Sequence, residues 1–189
     1  IDAIVTDRTV AKKIVNAVSG LKMLSDPAFE KEYYVLAVQK ENYDVLGLIN
    51  VVLAEADTDG RLSDITEGYI GKTSAERREF YETQTQAFEA TDFSEEVLTV
   101  GVCPGFAPFV YKEDGDLMGI DIEIARLIAE KVSMQLQFVE YEESELISAL
   151  RRGDIDFIIS ALTSDERYST QLDYSDSYYT SIQSIIIAY

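Results

Sequence analysis

Short apolar runs alternate along this chain with stretches whose apolar residues recur every three or four positions, which predicts strands separated by helices. Ile1 to Thr6 reads as a buried parallel strand ending at the carboxylate of Asp7. Val10, Ala11, Ile14, Val15 and Val18 then give one apolar helix face, stopped by Gly20. Leu21 to Leu24 reads as an edge strand before the turn at Asp26-Pro27, and Tyr33 to Val38 as a strand of strong β propensity. Asn42 to Ala56 predicts an amphipathic helix on Val45, Leu46, Ile49, Val52 and Leu53. A shorter helix follows from Ser63 to Ile70, closed by Gly71.

Between Thr73 and Asp92 the pattern thins. This stretch has no proline or glycine, is rich in Glu, Gln and Arg, and opens with Thr73-x-x-Glu76, a capping-box spacing. It predicts a solvated connecting helix rather than a flexible linker. Strand and helix then alternate regularly. Strands are predicted at Val97 to Val102, Leu136 to Val139, Asp156 to Ser160 and Ile182 to Ala188. Helices are predicted at Asp121 to Val132 and Ser144 to Arg151, the second ended by Gly153. Val110-Tyr111 and Leu117-Met118 form a hairpin around Glu113-Asp114-Gly115. Strands separated by helices of this length imply an α/β fold with βαβ units and a mostly parallel sheet.

Composition narrows the chemistry. With 35 acidic and 16 basic residues the 189-residue chain carries a net charge of −19, which argues against nucleic acid and against anionic membrane surfaces. The chain contains no histidine, so Ser-His or Cys-His catalysis and His-ligated metal sites are excluded. Cys103 is the single cysteine, and no intrachain disulfide can form. No apolar run approaches the length of a membrane helix, and no signal peptide leads the chain. Ile1 is not an initiator methionine, so the expectation is a processed product or a fragment. The partner expected from charge alone is small, cationic, zwitterionic or proteinaceous.

Several motifs admit ordinary readings. Glu55-x-Asp57-x-Asp59-Gly60 mimics a calcium loop, but Thr66 stands where a bidentate glutamate is needed, and a helix-turn-helix with glycine at the turn explains it. Arg152-Gly153-Asp154 reads as a helix end before a strand. Cys103 is expected as a loop thiol near a binding cleft, since nothing is present to activate it. The Cys103 to Tyr111 loop, with two prolines and a glycine after a buried strand, is expected to hold one of Phe106 and Phe109 in the core and present the other to a ligand. Asp154 to Tyr179 delivers Arg167 where a strand's carboxyl end gives way to a helix start, a place where open α/β sheets put ligands. A guanidinium fork beside free backbone N–H groups suits a carboxylate.

From Leu98 onward the chain resembles the extracytoplasmic solute-binding proteins of amino-acid ABC transporters, the family of glutamine-binding protein. The resemblance is carried by VGVCPGFAPFVY, GDLMGIDIEIARLIAEKV, LISALRRGDIDFIISALTSDER and LDYSDSYYTS. IDAIVTD, YYVLAVQK and INVVLAEADTDGRLSDITEGYIGK resemble the family's C-terminal portion, so tail precedes head. A tandem array, a circular permutation or a domain swap would each give this order. The resemblance implies a type II periplasmic-binding-protein-like lobe with part of a second lobe. Residues 1–33 would be a remnant of the smaller lobe. Residues 34–72 and 95–189 would build the larger one, with 73–94 as a helical connector.

The resemblance also implies roles. Arg167 would grip an amino acid's α-carboxylate, Thr163 and the Ala161 backbone would add hydrogen bonds, and Phe106 would pack on the ligand. Asp7 would pair with the α-ammonium, and Cys103 would border the site. The loop from Ala161 to Arg167 is one residue shorter than usual in the family, and Glu143 stands where an aromatic is common. The function implied is non-enzymatic capture of an amino acid, with no cofactor or metal, for a membrane permease. The alternatives are the sensor domain of a receptor kinase or a dehydratase-like enzyme, for which Glu143 is the candidate acid.

Overall fold

The computed structural model describes residues 3–188, apart from the side chains of Thr9, Val10 and Lys13. The expectations placed on Ile1, Asp2, Tyr189 and the Val10 side chain lie outside the described residues. In chain order the first elements are β1 (Ala3–Asp7), α1 (Arg8–Ala17), β2 (Leu21–Pro27), β3 (Glu32–Gln39), α2 (Tyr43–Thr58), α3 (Arg61–Tyr69) and α4 (Ser74–Glu89). Then come β4 (Val97–Val102), β5 (Tyr111–Glu113), β6 (Asp116–Met118), α5 (Ile120–Val132), β7 (Gln135–Glu140) and α6 (Glu143–Arg152). The last are β8 (Phe157–Thr163), a 3-10 turn at Glu166–Tyr168, β9 (Leu172–Tyr174), β10 (Tyr179–Ser181) and β11 (Gln183–Ala188).

The larger sheet runs β10-β3-β8-β4-β7, with β9 also paired to β3. It is mixed rather than mostly parallel. β4 is parallel to both β7 and β8, as the helical crossovers α5 and α6 require. β3 lies antiparallel to β8, β9 and β10. No βαβ unit joins β3 to its neighbours in sequence, so no crossover fixes its direction.

Period-two alternation divides the core between the two faces of this sheet. Tyr34, Leu36, Val38, Val100, Phe157 and Ile159 face a large cluster built with α2, α3 and α5. Ala37 and Ile158 face the other way, against Leu146, Ala149 and Leu150 of α6. Gly101 shares that second face because a Cβ there would lie 2.2 Å from Ile155 Cδ1.

α4 begins with the capping box, the Thr73 side chain accepting from the Glu76 N–H and the Glu76 carboxylate accepting from the Thr73 N–H. No residue of α4 is buried, yet the helix is docked. Phe80 meets Tyr69 edge-on at 5.4 Å, and Arg78 donates to Asp116 and to the Glu113 carbonyl at the hairpin β5-β6. That hairpin turns through Asp114 (φ 54) and Gly115 (φ 94), two left-handed residues in succession, as a tight two-residue turn requires.

A second sheet, β1-β11-β2, is antiparallel throughout, with α1 packed on β2 and β11. β1 is therefore neither buried nor parallel: Ala3, Ile4 and Val5 are exposed. It pairs with one neighbour only among the described residues, β11. The turn at Gly60 (φ 90) starts α3, and Asp59 is engaged by Arg61, so the calcium-like stretch is a helix-turn-helix. Gly153 (φ 77) ends α6, with Arg152 paired to Asp154.

Candidate functional site

The carboxyl ends of β7, β4 and β8 converge on a cleft of about 860 Å³. It is walled by Cys103 to Phe106 after β4, Glu142 to Ser144 at the start of α6, and Ser160 to Thr163 with Asp165 and Arg167 after β8. A crevice opens at this position because the connections leaving β4 and β7 run to opposite faces of the sheet, α5 on one and α6 on the other. Of the six residues singled out by sequence, Cys103, Phe106, Ala161, Thr163 and Arg167 line it.

The two strand ends are clamped together by Ser160. Its hydroxyl accepts from the Cys103 N–H at 3.0 Å and donates to the Cys103 carbonyl at 3.3 Å. Burial pushes the Cys103 thiol up, with the nearby Glu142 carboxylate adding to the shift, so it stays a thiol. The Phe106 N–H and carbonyl both bond Val110, closing the loop. Phe109 is 4% exposed and Phe106 49%, with their rings stacked at 5.8 Å. Tyr34 and Tyr179 extend this aromatic layer behind Phe109.

Arg167 does not project a free fork. Its Nε lies 3.0 and 2.9 Å from the two Asp165 oxygens and its Nη2 2.5 Å from Oδ2. Asp165 also accepts from the Arg167 N–H, capping the 3-10 turn. The guanidinium holds the Asp165 carboxyl below its usual range. The Arg167 side chain is 82% exposed, so solvent screens the pair and it adds little to stability. The short loop after β8 brings the two residues within two positions, which lets them close on each other.

The Ala161 backbone donor is also committed. Its N–H donates to Asp121 Oδ2 at 2.7 Å and is not turned to a ligand. Asp7 is absent from the cleft lining. Its Oδ2 accepts from the hydroxyls of Tyr179 at 3.1 Å and Ser181 at 3.3 Å. Asp7 thus belongs with the aromatic layer and not opposite Arg167, because β1 is carried by the second sheet.

Asp121 and Tyr178 were not singled out by the sequence. Asp121 is wholly buried and its other oxygen accepts from the Tyr178 hydroxyl at 2.8 Å. Burial pushes its carboxyl up to about 7 against the pull of those two donors. Burial and the facing carboxylate likewise raise the Tyr178 phenol. The visible signal was the acid set inside the apolar run Met118 to Ile124. Asp165, two places before Arg167, was the other available signal.

Sheet, crossovers and strand-end cleft together define an α/β lobe with an open cleft at its strand ends. The sequence model of the bacterial extracellular solute-binding proteins, family 3, matches residues 98–188, just under half the chain. That segment is similar in sequence to that family. The arginine-binding extracellular protein ArtP of Bacillus subtilis is 32% identical over 89 residues, 47% of this chain and 35% of the relative. The histidine-binding periplasmic protein of Salmonella typhimurium is 29% identical over 109 residues, 57% of this chain and 41% of the relative. Among solved structures, an ancestral arginine-binding protein bound to arginine is 36% identical over 45% of this chain and 38% of its own, with a TM-score of 0.43. The arginine-bound domain 1 from TmArgBP is 28% identical over 49% of this chain and 79% of its own, with a TM-score of 0.42. The chain spans about a third to two-fifths of the length of these curated relatives. They are named as extracellular or periplasmic, and among the described residues no helix is long and apolar enough to cross a membrane.

Proposed function

We propose that the cleft captures a free amino acid with a cationic side chain, outside the cytoplasm, for delivery to a membrane permease of the ABC type. The observation that carries this is the charge of the cleft wall. Glu142, Glu143 and Asp165 line it against Arg167, and Arg167 is already neutralised by Asp165. Such a wall favours a ligand bringing its own positive charge, and the names of the arginine- and histidine-binding relatives agree with that reading. Phe106 offers a ring face for a guanidinium or ammonium group. Arg167 takes the ligand's α-carboxylate by exchanging one carboxylate partner for another, and Thr163 adds a hydroxyl at the strand end.

Binding rather than catalysis is favoured because Glu143 is exposed. An acid catalyst needs a desolvated carboxyl to work near neutral pH. We read residues 34–72 and the stretch from 95 through β10 as one lobe; β11, which the resemblance put with that lobe, is instead the middle strand between β1 and β2 and goes with residues 1–33 into part of a second. The central place of β3, between β8 and β10, supports the first assignment. Closure of one lobe on the other presents the loaded form to the permease.

Calorimetry with the twenty amino acids tests the reading. Arginine or lysine is expected to bind without turnover. Arg167→Ala should weaken that binding at least about tenfold, and Glu143→Gln should narrow the preference for cationic over neutral ligands. Preference for an acidic amino acid would overturn the proposal. Unchanged affinity in Arg167→Ala would overturn the carboxylate assignment.

A further inference from the structure

Within the described residues, β8 does not run straight into the cleft. It pairs with β3 at Ile158 and again at Leu162, opposite Ala37 and Val35. Four residue steps on β8 therefore face two on β3, and the excess is taken up around Ile159 to Ala161 as a bulge. Ala161 completes the bulge in the left-handed region, at φ 47. A residue with a Cβ adopts this conformation only where its surroundings compensate. The chain beyond it carries Thr163, Asp165 and Arg167, so the direction taken at Ala161 sets the whole wall of the cleft.

What compensates is a single side chain from another element. Asp121 stands at the start of α5, wholly buried, and spends its two oxygens on two donors. One is the Ala161 N–H at 2.7 Å and the other the Tyr178 hydroxyl at 2.8 Å. Tyr178 is in turn fixed by its own N–H, which donates to the Tyr34 carbonyl of β3 at 2.9 Å. The base of α5 is no less firmly placed. The Ile120 and Asp121 N–H groups donate to the carbonyls of Pro108 and Phe109, in the loop that carries Phe106. Both loops that wall the cleft are thus referred to the same two residues of α5, one through backbone N–H groups and one through a buried carboxylate.

We infer that Asp121 is a positioning residue of the ligand site, holding the Ala161 bulge in the conformation that sets Thr163 and Arg167 against the Phe106 loop. It is not itself one of the residues that line the cleft and acts through Ala161, which is. The inference rests on the cleft being the ligand site proposed above. What the Ala161 N–H needs is an acceptor in a fixed place, which a carboxyl or a carboxamide oxygen both supply. An alanine supplies none and leaves a buried donor without a partner.

The test compares Asp121→Ala, Asp121→Asn and the double variant Asp121→Ala/Ala161→Gly in the full chain, with arginine as the probe. Affinity is measured by calorimetry well below each variant's unfolding temperature, and the loop is followed by amide resonances of Leu162, Thr163 and Arg167. Asp121→Ala should weaken arginine binding at least about tenfold and shift those amides. Asp121→Asn should stay within about threefold of the parent and leave them in place. Glycine tolerates the left-handed conformation without support, so the double variant should recover part of the loss, and it serves if Asp121→Ala does not fold.

A purely structural role would lower the unfolding temperature of Asp121→Ala while leaving affinity and amides unchanged, and that result overturns the inference. So does an Asp121→Asn variant as impaired as Asp121→Ala. If the parent binds no arginine, the amino-acid reading fails, while the amide shifts still decide whether Asp121 sets the loop.

Discussion

Arg167 and Asp121 show how far a residue's role depends on the partner that reaches it first. Arg167 sits at the strand end where a ligand carboxylate is expected, yet Asp165 occupies its fork. On the proposed reading a ligand carboxylate displaces Asp165 from Arg167, so Asp165 is both a competitor and one of the charges that favour a cationic ligand. Asp165→Asn should therefore leave the unfolding temperature unchanged, because the pair is exposed. It should change arginine affinity less than it changes the ratio of arginine to glutamine binding, which calorimetry with the two ligands reads directly. An equal loss for both ligands would refute the charge argument. Asp121 presents the opposite case, a carboxyl removed from water and raised from 3.8 to about 7. Between those two values the folded protein keeps a proton that the unfolded chain has released. Stability then falls as pH rises from about 4 to 7 and levels off above. Asp121→Asn lacks the titrating group. The parent's unfolding free energy minus the variant's should decline across that window by up to about 1.4 kcal/mol per pH unit. Urea titrations at several pH values measure it, and a flat difference would mean that Asp121 is not buried as described.

At the scale of elements, what could be read from the sequence was what neighbouring residues decide. The Thr73 and Glu76 capping box is made within one turn, and Thr73→Ala should cost about 1 kcal/mol in urea unfolding. The Asp114-Gly115 turn and the α6 stop at Gly153 are local in the same sense. The place of the cleft was also legible, because it follows from a topological rule about strand ends and needs no contact to be known. Pairings across the chain were not legible. β3 and β8 lie some 120 residues apart, and their antiparallel register depends on which edge is free once β4, β7 and β8 have assembled. β1 has the apolar content of a buried strand, yet Ile4 and Val5 are exposed, because burial depends on a covering layer and not on the strand alone. Gly119 marks another such contact. A Cβ there would lie 2.0 Å from the Phe109 carbonyl oxygen, and its φ of 131 is open only to glycine. The close approach lets the first N–H groups of α5 reach Pro108 and Phe109. Gly119→Ala should destabilise the fold by at least about 2 kcal/mol, and it should weaken arginine binding at the same time because the Phe106 loop hangs on that contact. Loss of stability without loss of affinity, measured on the folded fraction, would separate the helix start from the site.

Across the whole molecule the two sheets differ in how well they are supported. The larger one is covered on both faces, by α2, α3 and α5 on one side and α6 on the other. α4 is tied onto it through the Arg126 guanidinium, which bonds both Glu123 and Thr85 and lies over the Tyr81 and Phe88 rings. The Glu123 carboxylate is buried and also accepts from the Tyr69 hydroxyl at 2.8 Å. Arg126→Ala should therefore cost about 3 to 5 kcal/mol, since it strands a buried charge. The smaller sheet has β1 and β2 at its edges among the described residues, with α1 against it. Val5 is half exposed and Phe29 65% exposed. An edge with unpaired N–H and carbonyl groups opens more readily than a covered strand. If residues 1–33 are part of a lobe whose remaining strands come from elsewhere, they should be cut first by a dilute protease. A core containing β3 to β10 should survive, and scattering at rising concentration should show whether a second copy protects the segment. Mass spectrometry of the fragments gives the answer: cleavage confined to the first 33 residues in the monomer supports the division into lobes. Cleavage starting instead in α4 would mean that the helix is a linker after all and that the larger sheet is not one unit.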